Sequence, residues 1–282
     1  MNPISLIGNL FHEVFFRPIV NILVIILEQL QLLGIPGSLG WSVILLTLII
    51  RLLVWPFIAS QIRSAKKMAD LKPHLDVLKV KHKEDKAAMS AAQMALYKEH
   101  GVNPAGGCIP ALIQLPVFIA LANAIPMLFD ANQLQKVNDL LYFPNLKLIA
   151  PPDPHFAGFS LGDKLIDKTP FVGEWWVLML IPIITMALSF IQSKMMLPVK
   201  PLQVRKEDSK VAIKEKEGVE DTMGAMQSQM MFMMPLMIGV FSYQFPVGLS
   251  LYWNIFTLVG IIQQYLIAGW GGFAPWIKII RR

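Results

Sequence analysis

The chain has 282 residues, of which 55% are hydrophobic and only 16% are charged, a composition typical of membrane proteins rather than soluble domains. Its one cysteine, Cys108, excludes a disulfide framework and a cysteine-based metal cluster, and we interpret it as a buried, inert thiol. The net charge of +6 comes from Lys and Arg concentrated in two loops, which favours a cytoplasmic membrane face over DNA binding.

The first predicted element is a helix within residues 1–38. Pro18 suits the first turn of a helix, and Gly34 with Pro36 would end it. Polar residues such as Glu28 interrupt its apolar run, so we predict an amphipathic helix lying in the outer interface rather than a spanning helix. The run lacks the basic n-region and cleavage site of a signal peptide.

Five further segments are apolar and long enough to cross a bilayer as helices. The last two are separated by a tight turn at 245–248, which predicts an antiparallel helical hairpin. The chain is therefore predicted to be an all-α membrane protein. The predicted transmembrane helices are 39–60, 109–129, 175–196, 230–246 and 249–269.

The distribution of basic residues predicts the orientation of these spans. Nine Lys or Arg lie between Arg63 and Lys98, and six lie between Lys200 and Lys216, whereas the loop 130–174 has only four. Because basic loops stay in the cytoplasm, we predict that the N-terminus is outside and the C-terminus inside. The segment 130–174 would then form an extracytoplasmic loop.

The cytoplasmic segment 61–108 is predicted to contain a helical hairpin and its connection. Apolar residues recur at helical spacing on both sides of a charged break, and Pro73 is expected to interrupt the first arm. Gly101 would stop the second arm. The alternative is an unstructured basic loop, which would leave the apolar stripe without a partner. The loop 197–229 resembles a solvated linker, and residues 270–282 form a short cytoplasmic tail.

Arg51 lies in the middle of the first span, where a guanidinium costs about 3 kcal/mol on insertion scales. None of the five spans contains Asp, Glu or His. This absence argues against a proton relay, an intramembrane metalloprotease and a serine protease with a histidine base. We therefore predict that the protein is not an enzyme, and that any acidic partner of Arg51 comes from outside the spans.

Neutral polar and aromatic residues in the spans are the candidates for solvating Arg51. Each one alone is explained by a hydrogen bond between helices, but together with a charge at mid-depth they favour a water-filled cavity. These residues are Thr47, Trp55, Gln114, Asn123, Ser189, Gln192, Ser250, Tyr252, Trp253, Asn254, Gln263 and Gln264.

Seven methionines between Met223 and Met237 crowd the start of the fourth span. Two interpretations remain open for this cluster. The methionines could supply flexible core packing, or they could form an adaptable apolar surface for varied partners.

Several motifs occur in the order and spacing of one known family. They are Thr47 and Arg51 with Trp55-Pro56, Leu71-Lys72-Pro73, Ala95-Leu96-Tyr97-Lys98, Val102-Asn103-Pro104 with Gly106-Gly107-Cys108, Leu112-Ile113-Gln114-Leu115-Pro116, Phe245-Pro246-Val247-Gly248-Leu249, Leu251-Tyr252-Trp253-Asn254 and Ile261-Ile262-Gln263-Gln264. Over about residues 15–270 the chain resembles the YidC-type membrane protein insertases, which include the mitochondrial oxidase-assembly and thylakoid Albino proteins.

The resemblance implies five transmembrane helices around a hydrophilic groove that is open to the cytoplasm and to lipid. It also implies a bacterial plasma-membrane location and an interfacial N-terminal helix. Arg51 would be the charge of the groove. The other groove residues implied are Thr47, Trp55, Gln114, Tyr252, Trp253 and Asn254.

The cytoplasmic hairpin would help to receive substrates, through Lys66, Lys67, Lys72, Pro73 and Tyr97. The implied partners are nascent membrane proteins, the ribosome, the lipid bilayer and, as an optional partner, the Sec translocon. No nucleotide motif or metal site is present in the sequence, so no cofactor and no specific nucleic acid are predicted. Two alternative functions remain: a small-solute channel or carrier, and a membrane-protein assembly factor that translocates nothing.

Overall fold

The protein is described by a computed structural model that is mostly helical and divides into two compact units. The first unit comprises Met1–Ile58, Cys108–Thr185 and Gly239–Val259, and the second comprises Ala59–Gly107, Met186–Ile238 and Gly260–Arg282. The structure describes residues 3–83, 85–102, 109–168, 170–171, 173, 175–197 and 233–280.

The N-terminal helix begins the first unit as an unbroken helical run. It consists of α1 (Pro3–Phe11), a π-helical turn (His12–Phe16) and α2 (Arg17–Leu32), with Pro18 in the first turn of α2 as expected. One apolar face of the run packs against the helix Ile109–Phe129. The buried apolar residues of this face are Phe16, Ile19, Val20, Leu23, Val24 and Leu27.

Helix α3 spans Ser38–Asp70 and includes the first predicted transmembrane segment. It continues through Pro56 and past residue 60, where the predicted transmembrane segment ends and the predicted cytoplasmic hairpin begins; the position of that membrane boundary stays a prediction. The residues after 60 include several strong helix formers, among them Ala65, Lys66 and Lys67, which favour continuation of the helix.

The second unit contains the two arms of a helical hairpin, α4 (Lys72–Lys81) and α5 (Lys86–Glu99), which pack against each other. Pro73 lies in the first turn of α4, where its missing N–H leaves no helical bond unmade. The Asp85 carboxylate caps the N-terminus of α5. Gly101 has a φ of +61°, which suits glycine after a helix C-terminus.

Helix α6 (Ile109–Phe129) lies at the centre of the first unit's apolar core. It continues through Pro116 and Pro126. Neighbouring elements of that unit cover its buried residues, which are Val117, Ala120, Leu121, Ala124, Ile125 and Leu128.

The segment after α6 forms a small folded layer in the first unit. It contains α7 (Leu134–Leu140) and an antiparallel pair of strands, β1 (His155–Phe156) and β2 (Phe159–Ser160). The strands pair in the register His155 to Ser160 and Phe156 to Phe159. Ala157 and Gly158 connect them with φ angles of +51° and +86°, as a two-residue hairpin turn requires.

Carbonyl groups of the same layer accept hydrogen bonds from the first backbone N–H groups of the last long helix. The Val247 N–H donates to the Asp163 carbonyl at 2.9 Å, and the Gly248 N–H donates to the Leu161 carbonyl at 2.8 Å. Because the first N–H groups of a helix have no partner within it, these two bonds anchor the helix start to the loop.

The remaining helices follow in chain order. They are α8 (Trp175–Leu178), α9 (Leu180–Met195), α10 (233–244), α11 (Val247–Ala268) and α12 (Ala274–Ile280). A 3₁₀ turn, Gly271–Phe273, precedes α12.

Within the described residues, four helical stretches are long and apolar enough to cross a membrane, and Gln114–Phe129 is a shorter apolar helix. All four meet the criterion by length and composition alone. One of them, Gly8–Leu32, contains the helix that the sequence analysis places in the interface, and that interfacial position stays a prediction. The other three are Ser38–Asp70, Trp175–Met195 and Val247–Ala268, each of which overlaps a predicted span.

Some sequence predictions fall outside the described residues. They concern Cys108, the motif residues 103–107, most of the linker 197–229, the first residues of the predicted span 230–246, and Met223, Met226, Met230 and Met231.

Candidate functional site

Arg51 faces the interior of the first unit. Only 3% of its surface is exposed, whereas its neighbours in α3, Leu52 and Leu53, are 69% and 68% exposed. The same turn of the helix therefore presents apolar side chains on its outer surface and a permanent cation on its inner surface.

The guanidinium of Arg51 is bound by one residue of α11. Its Nε donates to the Phe256 carbonyl oxygen at 3.0 Å, and its Nη2 donates to the same oxygen. Its central carbon also lies 3.5 Å from the centroid of the Phe256 ring, within cation–π distance. A backbone carbonyl has two lone pairs, so this oxygen can accept from Arg51 as well as from its own helix.

Phe256 is a site residue that the sequence analysis did not identify. A search for polar residues in apolar helices does not select a phenylalanine, and every backbone carbonyl looks alike in a sequence. The available signal was helical spacing, because Phe256 lies one turn after Tyr252 on the same face of α11. The two rings are 5.8 Å apart in the structure.

Gln114 and Tyr252, both candidates from the sequence, are in direct contact. The Gln114 side-chain amide donates to the Tyr252 hydroxyl at 2.6 Å, which connects α6 to α11. Tyr252 is fully buried. Phe256 contacts both Arg51 and Tyr252. The helices α3, α6 and α11 therefore all contribute to one polar cluster inside the first unit.

Thr47 is fully buried one turn before Arg51, but its hydroxyl donates to the Val43 carbonyl of its own helix at 2.6 Å. Such a bond satisfies the hydroxyl locally. Its role as a groove-lining residue stays a prediction. Trp55, one turn after Arg51, is half-buried.

Trp253 and Asn254 each bury a polar atom that has no hydrogen bond within the described part of the chain, namely the indole Nε1 and the amide Oδ1. The Trp253 ring meets Phe118 edge-on, with 5.4 Å between centroids. Buried polar groups in native proteins are normally bonded, and the Trp175 Nε1 and Ser189 Oγ share this feature within the described residues. The groove roles of Trp253 and Asn254 stay predictions.

A second polar cluster, which the sequence analysis only partly found, joins three helices of the first unit. The Ser242 hydroxyl lies 3.3 Å from the Thr185 hydroxyl and 3.1 Å from that of Ser250. All three side chains are buried. Hydroxyl contacts of this kind stabilise helix packing within membranes, so we assign the cluster a structural role.

The hairpin candidates belong to the second unit. Lys66 and Lys67 are exposed near the end of α3, and Pro73 is exposed in the first turn of α4. Tyr97 accepts a 3.1 Å hydrogen bond from the Gln93 amide, one turn away. The backbone of Lys72 opens α4.

Among the residues that the structure describes, no group of three or more His, Cys, Asp or Glu side chains is placed to hold a metal ion. The chemistry available in the first unit is therefore that of a buried cation, hydrogen-bond donors and acceptors, and aromatic rings.

Comparisons with known proteins show which family the chain resembles. The sequence model of the family described as 60Kd inner membrane protein matches residues 31–271. The membrane protein insertase YidC of Fusobacterium nucleatum is 32% identical over 231 residues, which cover 82% of this chain and 86% of that protein. The protein of the same name from Rickettsia akari is 32% identical over 237 residues, 83% of this chain but only 36% of its own length.

A solved structure supports the fold. The crystal structure titled "Active YidC insertase crystal structure with the first transmembrane domain resolved" superposes with a TM-score of 0.52, covering 86% of this chain and 44% of that one at 23% identity. The matched family model, the relatives at 32% identity and the shared fold lead to one conclusion. The chain belongs to the YidC family of membrane protein insertases.

Proposed function

We propose that this protein inserts nascent membrane proteins into the bilayer, the activity that the names of its relatives state. We further propose that a client's hydrophilic outer segment enters a polar groove at Arg51. The client's apolar segment would meanwhile move along the outer face of α3 into lipid.

The observation that carries this proposal is a buried cation held by a neutral group. Arg51 is bound by the Phe256 carbonyl and ring. A carboxylate from a client would offer Arg51 an opposite charge and a bidentate pair of acceptor oxygens, which a single carbonyl does not. The carbonyl bond therefore positions the guanidinium without competing strongly with an acidic client.

The apolar side chains beside Arg51 suit the second half of the process. Leu52, Leu53 and Phe57 are each more than half exposed on α3, and in a bilayer such side chains face lipid. Energy would come from transferring about twenty apolar residues into the hydrocarbon core. For acidic outer segments, the membrane potential adds roughly 2.3 kcal/mol per charge per 100 mV.

The remaining features belong to the same proposal. The N-terminus would be outside and the C-terminus inside. The exposed Lys66 and Lys67 would contact the ribosome or the incoming client. The Sec translocon would be an optional partner. Insertion by this route would need no bond-breaking step and no cofactor, so the protein would not act as an enzyme.

The test uses the purified full chain as the sole protein in liposomes, with a single-span client whose short outer segment carries acidic residues. Insertion is measured by protection of the outer segment from added protease. Because hydrogen bonds to charged groups contribute about 1.5–3 kcal/mol, we expect Arg51→Met to lower insertion about tenfold or more, and Arg51→Lys to retain most of it. The insertion of a matched client, with Asn and Gln in place of the acidic residues, should change little in either Arg51 variant.

Two outcomes would count against the proposal. Equal insertion of the acidic client by the wild type and by Arg51→Met would remove the groove charge from the mechanism. Flux of a small solute through the same liposomes, without insertion of either client, would instead assign the protein to the channel or carrier class.

A further inference from the structure

A groove on the second unit lies between α9 and α10. It has a volume of about 430 Å³ and is lined by Met186, Ala187, Phe190, Pro235 and Leu236. Every lining side chain is apolar, and the groove is open at the surface of two helices that lie in predicted transmembrane segments. Its surroundings in a bilayer are therefore acyl chains.

A basic residue lies on the same helix, at the end of this groove. Lys194 follows Phe190 by one turn and Met186 by two, so all three lie on one face of α9. At about 1.5 Å per residue, Lys194 is roughly 12 Å along the helix axis from Met186, close to the ~15 Å half-thickness of the hydrocarbon core. A ligand that extends from Lys194 to Met186 thus passes from the headgroup level to near the bilayer centre.

Trp276 completes this end of the groove. Its ring centroid is 5.9 Å from that of Phe190 and 5.4 Å from the Lys194 ammonium. The turn before α12 holds it in place, because the Gly272 N–H donates to the Leu197 carbonyl at 2.8 Å. An aromatic ring beside a lysine at the level of the headgroups is typical of sites where proteins contact the lipid interface.

We propose that this groove binds an anionic phospholipid, with an acyl chain between α9 and α10 and the headgroup phosphate on Lys194. The proposal depends on the N-out, C-in orientation given above, but it is independent of insertion activity. The charge pattern also selects the lipid over two protein ligands. A client helix, or a second copy of this chain, carries basic residues at its cytoplasmic end, and Lys194 would repel them.

Native mass spectrometry of the full chain in detergent tests this proposal. The protein is titrated with phosphatidylglycerol and with phosphatidylcholine of the same acyl chains, and in a third arm with inorganic phosphate. We expect the wild type to retain the anionic lipid about fivefold better than the zwitterionic one, from one lysine near the surface. Inorganic phosphate should not bind measurably.

Substitutions at two positions separate the headgroup contact from the acyl-chain contact. Lys194→Gln should abolish the preference for the anionic lipid and leave phosphatidylcholine unchanged, while Lys194→Arg should retain the preference. Ala187→Trp should fill the groove and reduce retention of both lipids several-fold. The matched controls are Lys98→Gln, in the last turn of α5, and Ile184→Trp, which is 48% exposed on α9 and does not line the groove.

The proposal is overturned if Lys194→Gln keeps the fivefold preference, or if Ala187→Trp retains lipid as the wild type does. Binding of inorganic phosphate in place of lipid would make Lys194 a simple anion site. Displacement of the lipid by an equimolar single-span client peptide would assign the groove to clients. A dimer that Ala187→Trp dissociates would assign it to a second copy.

Discussion

Arg51 and Phe256 are joined by two kinds of contact, since the guanidinium bonds the Phe256 carbonyl and also lies 3.5 Å from the centroid of its ring. Both contacts use neutral groups, and the spans contain no acidic side chain. The contacts between Arg51 and Phe256 thus hold a permanent charge among apolar helices through a carbonyl and an aromatic ring.

The first prediction separates stability from activity at Arg51. Removing a buried charge removes its desolvation cost, and replacing even a whole buried ion pair with well-packed apolar residues is often neutral or stabilising by about 1–4 kcal/mol. We therefore expect Arg51→Met to unfold in detergent at the same temperature as the wild type or at a higher one, while insertion of acidic clients falls. Thermal unfolding followed by fluorescence measures the first quantity. A large loss of stability would indicate that Arg51 is structural.

The second prediction concerns the hydrogen bond between Gln114 and Tyr252. A double-mutant cycle with Gln114→Leu and Tyr252→Phe isolates this bond from the packing of either side chain. Because hydrogen bonds between membrane helices contribute about 0.6 kcal/mol on average and up to about 1.7, we expect a coupling energy within that range. The measurement is the free energy of unfolding of the four variants.

A matched control for this cycle pairs Tyr252→Phe with Asn123→Leu. The Asn123 amide bonds the Ile119 carbonyl of its own helix, so its coupling to Tyr252 should be near zero. Coupling of the same size in both cycles would show that the effect is not specific to the bond.

The third prediction concerns the buried Asn21, which ties α2 to the layer after α6. Its amide donates to the carbonyls of Arg17 and Leu140, and its side-chain oxygen accepts from the Tyr142 N–H. Asn21→Leu leaves that N–H without its acceptor, which costs about 1–3 kcal/mol for a buried group. We expect a correspondingly lower free energy of unfolding, and faster proteolysis between α7 and β1.

The control for Asn21 is Gln29→Leu, because Gln29 is exposed on the same helix. That substitution should change stability by less than about 0.5 kcal/mol. If both variants lost the same stability, the cause would be a general effect on α2 and not the loss of the Asn21 contacts.

The sequence predicted the helices well where local chemistry decides them. Pro73 and Gly101 lie at helix boundaries, and apolar runs coincide with the long helices. Gln114 and Tyr252, selected as polar residues in apolar helices, are in contact. The end of α3 was less predictable, because the residues after 60 favour a helix whether they lie inside or outside a membrane.

The partners of Arg51 could not be read from the sequence for a different reason. The carbonyl that binds it belongs to a residue 205 positions away, and all backbone carbonyls are chemically equivalent. Only the packing of α11 against α3 determines which carbonyl lies within reach. The same holds for the Ser242 hydroxyl, whose partners lie on two other helices.

The last prediction compares two glycines near the end of α11. Gly269 and Gly271 both have positive φ angles, +73° and +48°, so a side chain strains the backbone at either position. A Cβ at Gly271 would lie 1.9 Å from the Met195 carbonyl oxygen, whereas at Gly269 it would meet nothing within 4 Å. We expect Gly269→Ala to lower the free energy of unfolding by about 1–2 kcal/mol, and Gly271→Ala to lower it further, because the turn must separate from the end of α9. Thermal unfolding of the two variants measures the difference. Equal losses would mean that the turn can shift away from Met195 at no cost.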